Sequence, residues 1–176
     1  SKRNWYAKLS ANTRNAGDAS TPNGTLRNSR YSDQNLAGRF GLRLSHHHEF
    51  KANLQFYRGQ DIGIPGASQL FPAVAEVRYP RENRDLMSVE YLGRRLTPSL
   101  AKLSLKYFQQ DILRDVENIP YTTKEIAGTP AKRMNVLSIL PRATHKSDGA
   151  VLQTDWTIDG HYVIAGVDVW QKKLDS

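Results

Sequence analysis

At 176 residues the chain is long enough for one ordinary domain, yet only 39% of it is apolar and its mean hydropathy is −0.60, so a soluble core would have to come from a small share of the chain. It has no cysteine, which excludes disulfide frameworks and Cys-based metal sites, and no run approaches the ~20 apolar residues of a membrane helix. The net charge of +8 raises nucleic acid as a partner, but the basic residues are spread along the chain without a zinc-finger, helix-turn-helix or RRM signature, and no nucleic-acid role is expected.

The N-terminus, SKRNWYAKLS, is strand-like and carries no secretory signal, so an exported protein would be represented here by a mature chain or an excised piece. Trp5, Ala7, Leu9 and Ala11 alternate with Lys8, Ser10 and Asn12, the period of two that sends successive strand side chains to opposite faces. A polar segment, Thr13–Asp33, follows; Pro22-Asn23-Gly24 within it predicts a tight turn.

The clearest amphipathic stretch comes next. Leu36, Gly38, Phe40, Leu42 and Leu44 share one side, with Arg39, Arg43 and Ser45 on the other. After His46-His47-His48 the alternation resumes, Phe50, Ala52, Leu54 and Phe56 against Lys51, Asn53, Gln55 and Tyr57. Two such runs joined by a few residues predict an antiparallel hairpin. Gln60–Arg84 then reads as a long connection containing Gly63-Ile64-Pro65-Gly66.

Met87, Val89, Tyr91 and Gly93 alternate with Ser88, Glu90 and Arg94, and Thr97-Pro98-Ser99 turns into Ala101, Leu103, Leu105 and Tyr107, set against Lys102, Ser104, Lys106 and Phe108. Proline falls in the turn, where no ladder donor is needed. From Asp111 to about Ser147 the chain reads as a polar connection, with the short apolar run Val136–Leu140 read as a strand within the loop. Val151, Gln153, Asp155 and Thr157 alternate with Leu152, Thr154, Trp156 and Ile158; Asp159-Gly160 is a strong two-residue hairpin signal. In the last strand Val163, Ala165, Val167 and Val169 are set against Gly166, Asp168 and Gln171.

This pattern predicts an all-β antiparallel up-and-down meander of about seven strands. Three connections are very short: Ser45–Glu49, Thr97–Ser99 and Asp159–Gly160. The other three read as roughly 20 to 35 residues each, where structureless loops in compact domains rarely exceed about 15. Short and long alternate strictly, which puts all long loops at one end, the asymmetry of outer-membrane barrels. Strands of about 9 to 12 residues match the ~9–11 needed to cross a bilayer. Trp5, Tyr57, Tyr91, Tyr107, Trp156, Tyr162 and Trp170 lie near strand ends, suggesting interfacial girdles.

Three stretches carry a family resemblance: GTLRNSRY at Gly24–Tyr31 with the strand after it; the Tyr57 strand running into Asp61-Ile62-Gly63-Ile64-Pro65-Gly66; and Ser147-Asp148-Gly149 with Leu152–Trp156 and His161–Asp168. Together they resemble the barrel portion of TonB-dependent outer-membrane receptors, which import metal chelates of the siderophore, haem and cobalamin classes. The resemblance implies residues 1–176 as a partial barrel, since family barrels have 22 strands around a plugged lumen. It implies a bacterial outer-membrane location, with lipid outside the wall. It also implies a TonB-type energy-coupling partner acting through a plug that is not in this sequence, and a small anionic metal chelate as cargo. The alternatives are a soluble all-β binding module and a passive porin-type channel.

Enzyme activity is not expected, because no GxSxG, Walker A, HExxH or paired-carboxylate arrangement is present; Glu90 and Asp155 read as hydrated face residues. No cofactor and no resident metal site are expected. His46-His47-His48 lacks a carboxylate or Cys partner, and His145 and His161 are isolated. Arg39, Arg43, Lys51, Arg94, Lys102 and Lys106 share the polar face, as ordinary lining partly paired with Glu90, Asp155 and Asp168 or as an electropositive vestibule. Arg39, Tyr57, Lys106 and Gln110 are the candidate substrate-contact positions, expected near the long-loop end.

Overall fold

The computed structural model describes residues 4–65, 75–120 and 140–175. Seven strands form one antiparallel sheet in sequence order: β1 (Trp5–Ala16), β4 (Tyr31–Arg43), β5 (His48–Ile64), β6 (Ala75–Arg94), β7 (Leu100–Pro120), β8 (Arg142–Ile158) and β9 (His161–Asp175). A separate two-stranded ribbon, β2 (Ala19–Thr21) with β3 (Gly24–Leu26), lies in the first long connection. The described residues contain no helix. The alternation of short and long connections holds. Asp159 and Gly160 close the β8–β9 hairpin with φ of 47° and 80°, the two left-handed positions of a type I′ turn.

The strands are longer than their hydropathy predicts. β5 to β8 run deep into Gln60–Arg84 and Asp111–Ser147, which read as connections because both faces are polar there. Ladder hydrogen bonding does not depend on side-chain polarity, so pairing continues where the amphipathic pattern stops. Likewise Thr13–Asp33 holds the end of β1, the small ribbon and the start of β4, its turn at Pro22-Asn23 as expected. Of Val136–Leu140, residues 136–139 lie outside the described residues; Leu140 is exposed and not in a strand.

The register lines up one apolar face. Trp5, Leu42, Phe50, Tyr91, Leu105, Leu152 and Val167 form one hydrogen-bonded row. Ala7, Phe40, Ala52, Val89, Tyr107, Ala150 and Val169 form the next. Among the described residues nothing covers this face: Leu9 is 75% exposed, and Phe40, Phe50, Leu54, Val89 and Val169 are all exposed. The buried side chains sit on the opposite face, and apart from Leu92 they are polar: Asp33, Glu49, Ser88 and Asp155. Burying one large apolar side chain is worth ~1.5–3 kcal/mol, so a bare band of this size forgoes tens of kcal/mol in water. The sheet is inside-out, and the described residues hold no core of the kind a soluble module needs.

The band also crosses the rows. The row through Leu36 and Phe56 continues into Asp85, Asp111, Lys146 and Lys173. From β5 to β9 its upper edge falls from Phe56 to Val169, four residues across four strand spacings. At ~3.3 Å per residue and ~4.8 Å per strand this is a tilt on the order of 35°, within the range of membrane barrels. A horizontal apolar slab cuts tilted strands at successively shifted register.

Gln171 corrects one sequence assignment. It pairs with Asp148 and shares the face of Val169, beyond the band's edge.

Candidate functional site

The polar face is built from alternate residues of the same strands and falls into two zones. Near the short turns most of the carboxylates are paired. Arg94 Nη2 donates to Glu49 at 2.9 Å, Lys51 lies 3.7 Å from Glu90, and Ser104 Oγ donates to Glu90 at 3.0 Å. Lys102 approaches the buried Asp155, which also accepts from Gln153 Nε2 and Tyr162 Oη, both at 2.8 Å. Apart from the Gln153 bond within β8 these contacts join adjacent strands, as the lining account predicts for Glu90 and Asp155, while Arg43 and Lys106 have no ion pair among the described residues. Asp168 makes no such pair.

Toward the long connections several guanidinium groups are fixed on neutral or shared partners. Arg84 Nε donates to Gln110 Oε1 at 2.9 Å; nearer the short turns, Arg39 Nε is held in the same way by Asn53 Oδ1 at 2.9 Å. An amide acceptor orients a guanidinium without cancelling its charge. Arg114 is held by Glu82, which raises its pKa, and its guanidinium lies 5.1 Å from the Tyr79 ring centre. Arg14 forks onto the buried Asp33 through Nε and Nη2 at 3.0 and 2.6 Å. Beside Arg84 and Arg114 lies a recess of about 330 Å³, lined also by Asn35, Gln55, Tyr57 and Ile112 among others.

All four candidate contact positions point to the polar face, but at different heights. Tyr57 lines the recess, and Gln110 holds Arg84 beside it. Arg39 and Lys106 lie nearer the short turns than expected: β4 starts at Tyr31 and β7 runs on to Pro120. Arg84 and Arg114 were not picked out by sequence, because Glu82–Met87 and Ile112–Asp115 lack the apolar-polar alternation that marked the other strands. Charge alternation was the remaining signal, since Glu82 and Arg114 are register partners.

The aromatic positions divide by face. Trp5, Tyr91 and Trp156 edge the apolar band near the short turns, and Tyr107 edges it on the other side. Tyr57, Tyr162 and Trp170 belong to the polar face and so are not girdle residues, because each is an odd number of residues from the apolar members of its strand. In the histidine turn, His47 Nδ1 is 2.8 Å from the Arg94 carbonyl and His48 Nδ1 is 2.7 Å from Tyr91 Oη. Two of the three rings serve the fold, and the described residues contain no group of three metal-binding side chains.

The first long connection is pinned to the sheet. Asn28, at φ 58°, donates Nδ2 to the carbonyls of Ile64 and Val77 at 3.0 and 2.7 Å, bridging the ends of β5 and β6. Gly63 N–H donates to the Arg30 carbonyl at 2.8 Å. Asp18 Oδ1 accepts from the amides of Ser29 and Arg30, and the Ser29 bond is the main reason its pKa is lowered.

No family model and no curated protein matches the sequence. A solved structure described as a copper transporter, OprC, superposes over 99% of this chain with a TM-score of 0.71 at 13% identity. The chain is a segment of a β-barrel wall. It spans 24% of that transporter's length, and the open seven-stranded sheet with two free edges is what such a segment looks like. At this identity the likeness carries the fold alone.

Proposed function

We propose that this chain is part of the wall of a TonB-dependent outer-membrane transporter that imports a metal as a small anionic chelate, its apolar face in lipid and its polar face in the lumen. The observation that carries the reading is the uncovered apolar band backed by buried polar side chains. That arrangement is stable with hydrocarbon outside and water within. The family resemblance and the likeness to a copper transporter support transport and a metal cargo. A TonB-type partner, acting through the plug of the complete protein, would supply the energy.

The form of the cargo is argued from the face itself. Without a cluster of metal-binding side chains among the described residues, this wall offers a bare cation no ligand set. Arg39 and Arg84, oriented by neutral amides, offer an anion two directed and uncompensated charges. Such groups in a narrow vestibule raise the local concentration of anions.

The test is uptake of labelled metal chelates by cells carrying the complete transporter. Arg39→Ala, Tyr57→Ala, Lys106→Ala and Gln110→Ala are each expected to raise the half-saturating concentration, and loss of the TonB partner to abolish accumulation. Unchanged uptake in all four would remove the contact assignment. A complete parent that is monomeric in buffer without detergent would remove the membrane reading itself.

A further inference from the structure

The tip of the β2–β3 ribbon sets a carboxamide beside a glycine amide. Pro22 and Asn23 make a two-residue turn between the partners Thr21 and Gly24, with Gly24 at a φ of 112°. Asn23 is exposed, and its side chain makes no hydrogen bond among the described residues. A Cβ at Gly24 would meet nothing within 4 Å, so the approach to its main chain is open, and glycine brings no Cβ of its own to crowd the nitrogen. A bond from the Gly24 nitrogen to Asn23 Cγ would close a small, unstrained ring through the Asn23 carbonyl carbon, Cα and Cβ.

The ribbon does little to hold that tip rigid. It consists of three residue pairs, every one of its residues is exposed, and it is not part of the seven-stranded sheet. An isolated hairpin is marginally stable in water, and a segment without packed neighbours opens at little cost, so the Asn23 side chain can swing onto the nitrogen that follows it. Comparable positions elsewhere are locked. Asn28 spends its Nδ2 on the Ile64 and Val77 carbonyls, and the Ser29 amide that follows it donates to Asp18 Oδ1. Asp159-Gly160 also turns a hairpin, at φ of 47° and 80°, but it closes the long β8–β9 ladder, paired without a break from Ile158 with His161 to Thr144 with Asp175.

We infer that Asn23 is a site of spontaneous covalent modification, at which its carboxamide is converted to an acid by way of a succinimide. The Gly24 nitrogen, on losing its proton, attacks Asn23 Cγ; the new C–N bond forms as the side-chain nitrogen leaves with that proton as ammonia. Water then opens the ring at either carbonyl and gives aspartate or isoaspartate. The sum is asparagine plus water to acid plus ammonia, with nothing oxidised or reduced. Either product puts a carboxylate at the ribbon tip. Isoaspartate also adds a methylene carbon to the main chain, so the turn no longer sets Thr21 opposite Gly24, because hairpin register follows turn length.

The experiment incubates the purified complete protein, in detergent, in mildly alkaline buffer made with heavy-oxygen water. Ring opening then labels each acid formed during the incubation, and trypsin digestion afterwards in ordinary water isolates residues 15–27, bounded by Arg14 and Arg27. Mass spectrometry is expected to find labelled aspartate and isoaspartate together at position 23, forming within about tenfold of the rate in the urea-unfolded chain, because opening the ribbon costs little. Asn15 lies in the same peptide but is held in the β1–β4 ladder and followed by Ala16, and it should take up no label over the same period. Asn23→Gln, whose longer side chain disfavours the ring, should leave the peptide unlabelled. Greater slowing at position 23 in the folded protein overturns the inference, since the fold then protects the turn. Aspartate without isoaspartate overturns the succinimide route, and labelling of the Asn23→Gln peptide at the wild-type rate overturns the assignment to this residue.

Discussion

The half of the sheet near the short turns and the half near the long connections are built from the same strands but solve different problems. Near the turns, one face is apolar and bare while the other is polar and internally paired. Beyond Phe56, Met87 and Tyr107 both faces are charged. Arg58 with Asp85, and Arg81 and Arg142 with Asp115 at 3.0 and 3.2 Å, occupy the same side that carries the apolar band lower down. The polarity of one continuous face therefore reverses with height, and it reverses along a line tilted to the strand rows. A protein in one solvent has no reason to do this. A wall passing out of a hydrocarbon layer into water does, and the cross-strand ion pairs hold the projecting strands together where no apolar contact is available.

The sharpest way to break this comparison is to place the same charge on adjacent residues. Leu54 lies inside the apolar band and Gln55 on the opposite face. Leu54→Arg in the complete protein is expected to cost ~2–4 kcal/mol of folding free energy in lipid vesicles, the penalty for Arg near the bilayer midplane. Gln55→Arg should stay within ~0.5 kcal/mol, as a hydrated substitution does. Urea titration in vesicles reads both. Similar costs at the two positions would show that the faces are not in different solvents.

That same difference explains what was legible in the sequence. The lower half announced itself, because a face in contact with hydrocarbon must alternate, and Leu36–Leu44 and Phe50–Phe56 alternate cleanly. The upper half did not. Its strands are held by ladder bonds and ion pairs between distant residues such as Arg114 and Glu82, and neither leaves a local period. Tyr57, Gln110, Arg39 and Lys106 were found as polar-face positions by parity alone, but their heights depended on where strands end, which parity does not encode. Arg84 and Arg114 escaped for the same reason. Aromatic residues near strand ends were legible as a group. Their division between faces was not obvious for Trp170, which continues a strand whose opposite face carries four apolar residues.

A second comparison concerns the first long connection, between Gly63 of β5, which the connection packs against, and Gly17 within the connection, which touches nothing. A Cβ at Gly63 would stand 2.3 Å from the Asn28 carbonyl oxygen, backbone that cannot swing aside, while one at Gly17 meets nothing within 4 Å. Gly63→Val should therefore detach the Asn28 bridge at a cost of ~1–3 kcal/mol, the range for overpacking. Gly17→Val should leave the bridge in place. Trypsin cleavage after Arg27 and Arg30 in the complete protein reports the difference, expected to quicken severalfold in the first variant alone. Equal rates would mean that the connection is held by something other than its contact with β5 and β6.

The smallest expected effect tests whether the same connection is held by charge. Asp18 accepts the amides of Ser29 at 2.8 Å and Arg30 at 3.0 Å, and the Ser29 bond is the leading cause of its lowered pKa. A carboxylate whose folded pKa is depressed adds stability that is fully present above its unfolded value of 3.8 and is lost as pH falls through the folded value. The Ser29 and Arg30 amide resonances should thus hold their hydrogen-bonded positions at neutral pH and move together only below the usual carboxylate range. Asp18→Asn keeps an acceptor oxygen but removes the charge, so the two resonances should then show no titration in that window. If they titrate identically in the variant, the charge that orders this connection belongs to another group. The upper half of the wall would then be stabilised at its rim by the Asn28 bridge without help from Asp18.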